Sequence, residues 1–202
     1  MKEHRILDQR IVYDGYFSIE QYRVQHTLFQ GGWGAPIERE LFERGCAAAV
    51  LPYDPSTDQV LLIEQFRVGA IKVYQPPWLL EVIAGILEPG EQAADLVRRE
   101  AAEEAGCELR ELRPIGEFLL SPGSTSEHCT LFCGRADLSG TGGVHGLAEE
   151  GENILVHVLT AEQAVALCRE GGIHNAIAII ALQWLETQRL CGQQIFPAPE
   201  AL

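Results

Sequence analysis

The sequence predicts an α/β fold: an α/β/α sandwich around a mixed sheet, with a small N-terminal antiparallel β lobe. Three observations carry that prediction. Residues 10–44 hold three runs of β-branched and aromatic residues separated by glycine turns. Residues 46–84 hold three apolar runs of strand length, and the last leads into strong helix formers that stop at Gly106. Two more helical stretches close the chain, so strands and helices alternate as layered sheets require. At 202 residues the chain can fill one substantial core and a small lobe, which divides it at 1–45 and 46–202.

Within the lobe, 10–13, 16–29 and 37–43 read as strands, with turns at Asp14-Gly15 and Gly31-Gly32. Three such strands are marginal alone and need a partner surface. The runs 46–52, 60–65 and 78–84 lack polar alternation, as central strands do. Pro89-Gly90 then makes a turn before the helix, and Gly106 supplies its left-handed cap.

On a helical wheel the apolar side of this helix falls at Ala93, Leu96 and Val97, while Glu91, Asp95 and Arg98 form the solvated side. The next residues along the apolar stripe are Glu100, Glu103 and Glu104. Charge there is on the wrong face. A like-charged pair at roughly 6 Å costs about 0.7 kcal/mol in water and about 3 kcal/mol at an effective dielectric of 20. Buried carboxylates must be protonated, paired or bound to cations, and Arg99 reaches only Glu103 at i, i+4. An oxygen-only ligand set of this kind suits Mg²⁺, with Mn²⁺ as the alternative.

Downstream, 118–121 leads into the turn Ser121-Pro122-Gly123, and 130–135 reads as a strand. Residues 134–153 carry six glycines and the acids Glu149, Glu150 and Glu152, the composition of a mobile functional loop. Thr160 and Gln163 form a capping-box pattern for a helix that stops at Gly171-Gly172. Asn175 caps the last helix, whose Ile177, Ile180, Ala181 and Trp184 share a packing face. The tail 196–202 is expected to fray.

A net charge of -14 argues against nucleic acid and anionic membranes as partners. The first ten residues lack an apolar signal core, and 176–182 is too short to span a bilayer. Six scattered cysteines without a CxxC point to reduced thiols and a cytoplasmic setting. Cys129 and Cys133 read as core residues rather than zinc ligands, and His26, His145, His157 and His174 as structural.

The spacing of Gly85, Glu91, Arg99-Glu100, Glu103-Glu104 and Gly106 resembles the Nudix box, G-x5-E-x7-R-E-U-x-E-E-x-G-U. It departs from that pattern only at two bulky-aliphatic places, where Ala101 and Cys107 stand. The resemblance implies metal-dependent hydrolysis of a nucleoside diphosphate linked to another moiety. Glu100, Glu103, Glu104 and the carbonyl of Ala84 would hold the metal, and Arg99 would orient the glutamates. Pro122 stands fifteen residues beyond Cys107, a spacing that resembles the members cleaving ADP-ribose and related ADP-sugars, although GDP-mannose-cleaving members share it.

The same resemblance implies substrate contacts at Tyr16, Arg39, Glu40, Arg67 and Glu127. On residue chemistry alone Arg39 and Arg67 are equally readable as surface charges, and Glu127 as a loop acid. Glu150 lines up as the general base and Glu152 as a further metal ligand, with Glu149 the competing base. The implied partner is a small-molecule nucleoside diphosphate sugar, bound by a homodimer whose N-terminal lobes are exchanged in related enzymes. The competing functions are hydrolysis of GDP-mannose and ligand sensing without hydrolysis.

Overall fold

The computed structural model describes residues 2–196, so the tail expected to fray lies outside the described residues beyond Phe196. The chain separates into two compact units, Met1–Cys46 with Phe118–Cys129, and Ala47–Glu117 with Thr130–Leu202.

The first unit is a three-stranded antiparallel sheet of β1 (His4–Asp14), β2 (Ser18–His26) and β3 (Ile37–Glu43), in that order. β1 begins at His4, earlier than the expected strand at 10–13, because its ladder with β2 runs back to a His4–His26 pairing. Every residue of β1 is exposed. The segment 118–129 joins β3 through a Phe42 N–H that donates to the Ser124 carbonyl at 2.8 Å.

The second unit supplies all of an eight-stranded sheet except 118–119 and 128–129, the ends of two of its strands. Its strands are β4 (Ala47–Asp54), β5 (Gln59–Phe66), β6 (Trp78–Glu81), β7 (Ile83–Ile86), β8 (Glu111–Leu119), β9 (His128–Arg135), β10 (Gly143–His145) and β11 (Ile154–Thr160). The path runs β10-β11-β5-β4-β9-β8, with β6 paired to β5 and β7 to β4. The expected single strand over 78–84 is therefore two short ones. Pairing switches from β5 to β4 at Val82, which is buried at the crossing.

β4 is buried along its whole length, as an apolar run without alternation requires. β11 falls where no strand was expected, between the glycine-rich segment and the Thr160 cap. It pairs with β5 through six residues, and its run ILVHVLT is itself rich in β-branched residues, a local strand signal that the sequence reading passed over. The glycine-rich segment is also less irregular than its composition implies, since it contains β10 and a 3₁₀ turn over Ala148–Glu150.

Three helices complete the unit: α1 (Ala93–Ala105), α2 (Ala161–Arg169) and α3 (Ala176–Leu190). α1 ends on Gly106 in the left-handed conformation, at φ +58, where the missing Cβ avoids a steric penalty. α2 carries the full Thr160–Gln163 capping box, and Asn175 caps α3 by accepting from the Ala178 N–H. Leu96, Val97, Ala101 and Ala105 of α1 join Leu61, Ile63, Ile83, Ile154 and Val156 in one apolar cluster. Ala101 and Cys107, the two small residues of the box, are buried within it. Among the described residues no helix is long and apolar enough to cross a membrane.

Candidate active site

The site grows from the end of the α1 stripe. Leu96 and Val97 bury against the sheet, and two turns later Glu104 occupies the same arc with 2 % exposure. Glu100 lies beside it, half-buried. Glu103 sits at the margin of the arc and turns to Arg99, so the expected trio is two inward carboxylates and one half-exposed one. The Glu100 carboxylate packs on the backbone of Gly85, where a Cβ would meet Glu100 Oε1 at 2.2 Å. The box glycine is thus required by the box glutamate. The Ala84 N–H lies 3.4 Å from Glu104 Oε2, which brings the Ala84 peptide next to the same group.

Burial raises the Glu104 carboxyl to about 8, helped by the charges of Glu100 and Glu152. Burial likewise raises Glu100 to about 7, with Glu103 and Glu152 adding to the effect and Arg99 opposing it. Burial thus favours the protonated form of Glu104 at neutral pH, while Glu100, partly countered by Arg99, sits near its midpoint. Arg99 is the organiser of the outer edge. Its Nη1 meets Glu100 at 3.1 Å and Glu103 at 3.0 Å, while its Nε reaches Glu91 at 3.3 Å. Glu91 therefore belongs to the site and not to the solvated side expected of it.

The glycine-rich segment contributes Glu152. Its Oε2 accepts the Leu147 N–H at 3.0 Å, and its charge acts on both Glu100 and Glu104. Glu149 and Glu150 are exposed on the 3₁₀ turn just before it. The structure therefore brings Glu152 into the carboxylate group and leaves the other two facing solvent.

Arg67 continues the line of Leu61 and Ile63 at the end of β5. Its Nε and Nη2 both donate to Glu81 Oε2, at 3.0 and 2.7 Å. Burial tends to lower the Arg67 guanidinium, but the hydrogen bonds and charge of Glu81, followed by Glu104 and Glu152, raise it overall. Glu81 was missed by sequence reasoning. Its signal was a lone acid in the apolar run 78–84, the strand counterpart of the charge on the α1 stripe. Gln65, two residues before Arg67, is also buried, and its Nε2 has no hydrogen-bond partner among the described residues.

Tyr16, Arg39, Glu40 and Glu127 belong to the other compact unit. There Tyr16 is 91 % exposed, edge-on to Phe17. Arg39 and Glu40 are exposed on β3, and Arg39 Nη1 donates to the Glu38 carbonyl at 2.7 Å. Glu127 is buried and meets Arg44 Nη1 at 3.4 Å. The thiols of Cys129 and Cys133 are buried and pushed up to about 12 by burial, as inert core residues are.

Among the described residues no three acidic, histidine or cysteine groups are gathered as a ready metal-ligand set. The donor chemistry nonetheless fits a hard divalent cation. Two inward carboxylates and Glu152 share one field, every donor is oxygen, and Arg67 is tied to Glu81. A separate polar cavity of about 380 Å³ opens beside the C-terminal end of α1, lined by Gly106, Glu108, Arg110, Asp137, Thr141 and His145 among others. It shares no residue with the carboxylate group.

Residues 43–167 match the family model of the NUDIX domain. The chain is 48 % identical over 181 residues to an ADP-ribose pyrophosphatase of Escherichia coli (strain K12), covering 90 % of this chain and 87 % of the relative. It is 44 % identical over 184 residues to an ADP-ribose pyrophosphatase of Haemophilus influenzae, covering 90 % and 85 %. A GDP-mannose pyrophosphatase of Salmonella paratyphi B is 31 % identical over 186 residues, covering 92 % and 96 %. A crystal structure described as an ADP compounds hydrolase superposes with a TM-score of 0.70 over 95 % of this chain and 97 % of its own, at 19 % identity.

Proposed function

The chain belongs to the Nudix family, and from that premise we propose that it hydrolyses the pyrophosphate bond of ADP-ribose and related ADP-sugars, giving AMP and a sugar phosphate. The observation that carries the chemistry is the pair of inward carboxylates, Glu104 and Glu100, with Glu152 in their field. The substrate class comes from the two ADP-ribose pyrophosphatases that resemble it over nine-tenths of its length. The GDP-mannose pyrophosphatase relative supports hydrolysis of GDP-mannose as the second reading, at lower identity. Every fixed position of the box is intact, which favours a hydrolase over a sensor.

Glu100, Glu103, Glu104, Glu152 and the Ala84 carbonyl are the proposed metal-holding groups, for Mg²⁺ or alternatively Mn²⁺. When bound, such an ion lowers the pKa of a water and offsets charge growing on phosphate oxygens. Arg99 fixes the rotamers of Glu100 and Glu103 through its two contacts with them. Glu150, exposed on its turn, is the proposed acceptor of the water's proton, and a glycine-flanked turn can deliver it only once substrate is in place. Arg67 offers charge to the pyrophosphate, and Tyr16, Arg39, Glu40 and Glu127 are the proposed contacts to the rest of the nucleotide.

The protein is proposed to act as a homodimer, with or without exchanged lobes. Ile6, Leu7, Ile11, Val12 and Tyr13 of the edge strand β1 are all 44–63 % exposed, an apolar strip that a second copy would cover. All six cysteines are free thiols, which supports a reducing, cytoplasmic setting. The test of function is a panel of nucleoside diphosphate sugars incubated with Mg²⁺ and resolved by product chromatography. ADP-ribose should yield AMP and ribose 5-phosphate fastest; a faster release of GMP from GDP-mannose would move the assignment to the second reading.

A further inference from the structure

Glu81 is a buried carboxylate that the reaction described above does not use. It is 4 % exposed at the end of β6, and both of its oxygens are committed. Oε2 accepts Arg67 Nε and Nη2, and Oε1 accepts Asn175 Nδ2 at 3.1 Å. Asn175 is itself fixed, because its Oδ1 accepts the Ala178 N–H at 3.0 Å as the N-cap of α3. A continuous chain of hydrogen bonds thus runs from the first turn of α3 through Asn175 and Glu81 to the guanidinium of Arg67.

The chain matters because Arg67 has competing partners. Glu104 and Glu152 both act on it electrostatically. An arginine free to rotate beside them would fold onto those side chains and occupy the oxygens proposed to hold the metal. Glu81 takes one edge of the fork, Nε and Nη2, and this leaves Nη1 for another acceptor. A guanidinium held by one edge and presenting the other is preorganised to meet a phosphate oxygen without losing side-chain entropy on binding.

We propose that Glu81, anchored by Asn175, is a positioning residue that presents the free edge of Arg67 to the pyrophosphate and keeps it off Glu104 and Glu152. The proposal rests on the reading of Arg67 as a substrate contact. Its consequence is specific. Loss of Glu81 should weaken substrate binding through Arg67 and through nothing else.

The experiment is steady-state kinetics on ADP-ribose with Mg²⁺ for wild type, Arg67→Ala, Glu81→Gln, the double variant and Asn175→Asp. Arg67→Ala and Glu81→Gln should each raise KM about tenfold with kcat changed less than about threefold, and the double variant should match Arg67→Ala. Asn175→Asp keeps an oxygen for the Ala178 N–H, so α3 stays capped, although the like charge beside buried Glu81 should lower its melting temperature. It replaces the donor to Glu81 with a second carboxylate, so its KM should rise. Multiplying effects in the double variant, or a wild-type KM in Glu81→Gln, would overturn the proposal. If Glu81→Gln does not fold, a wild-type KM in folded Asn175→Asp overturns it equally. A wild-type protein inert on every nucleoside diphosphate sugar removes the proposed function and this inference together, whereas an active one with unresponsive variants removes only the inference.

Discussion

The carboxylate of Glu100 rests on the backbone of Gly85, so that a methyl group on Gly85 would come within 2.2 Å of Glu100 Oε1 and 2.8 Å of its Cγ. The two residues are fifteen apart in sequence and belong to different elements, β7 and α1. Their contact explains why a glycine opens the box.

Gly85→Ala should therefore act as a lesion of Glu100. The obstructed atoms lie in a flexible side chain and not in the backbone, so the fold can yield by swinging the carboxylate away. Turnover of ADP-ribose should fall by about 100-fold or more, the scale of a misplaced catalytic group. The melting temperature should move little. A variant with near-wild-type turnover would show that Glu100 has no fixed role in the reaction.

The pH dependence of stability follows from the raised carboxyls. Glu104 titrates near 8 and Glu100 near 7 in the native protein, against about 4.3 for glutamate in an unfolded chain. The native state thus keeps protons that the unfolded state has released. This contribution is fully present below the unfolded value and is lost as pH rises through 7 and 8. Each retained proton gives a slope of at most about 1.4 kcal/mol per pH unit. Metal-free protein scanned by calorimetry should melt progressively lower from about pH 5.5 to 8.5. A flat or rising profile would contradict the burial of these groups.

Much of this was legible in the chain, and the misses have physical causes. The α1 stripe announced Glu104 because helical periodicity fixes azimuth, and azimuth places Glu104 beside Leu96 and Val97 in the core arc. Gly106, Thr160 and Asn175 were readable as caps because capping is local chemistry. β11 was readable from its β-branched run ILVHVLT but was passed over between the glycine-rich segment and the Thr160 cap, whereas the break at Val82 was not readable, since it depends on which strand each segment pairs with. Glu81 escaped for the same reason. Its role is defined by Arg67 and Asn175, fourteen and ninety-four residues away.

Glu104→Gln should separate stability from function. The amide has nearly the shape of the carboxylic acid and carries no charge to desolvate, so metal-free protein at about pH 8.5 should be more stable than wild type. The same variant should lose the stabilisation by Mg²⁺. For wild type that gain reaches about 2.7 kcal/mol at a metal concentration 100 times Kd. Thermal shifts with and without millimolar Mg²⁺ measure both effects. A Glu104→Gln protein that still responds to Mg²⁺ as wild type does would remove Glu104 from the metal site, and turnover within a few-fold of wild type would remove it from the reaction.

The loop acids divide by environment, and their variants should divide in the same way. Glu152 is tied to the Leu147 N–H and lies in the field of Glu100 and Glu104, so it resembles a ligand held in reserve. Glu150 stands in solvent on a turn bounded by Gly146 and Gly151, both with positive φ, so it resembles a group brought in by movement. Glu152→Gln should weaken Mg²⁺ binding, read as a smaller thermal shift, and lower turnover with it. Glu150→Gln should lower kcat by about 100-fold while leaving both the Mg²⁺ shift and the substrate Kd unchanged, the range expected for loss of a general base. Isothermal titration with substrate and Ca²⁺, used to suppress turnover, gives that Kd. If Glu150→Gln changes Kd alone, Glu150 is a binding residue. The proton acceptor is then to be sought at Glu149, its neighbour on the same turn.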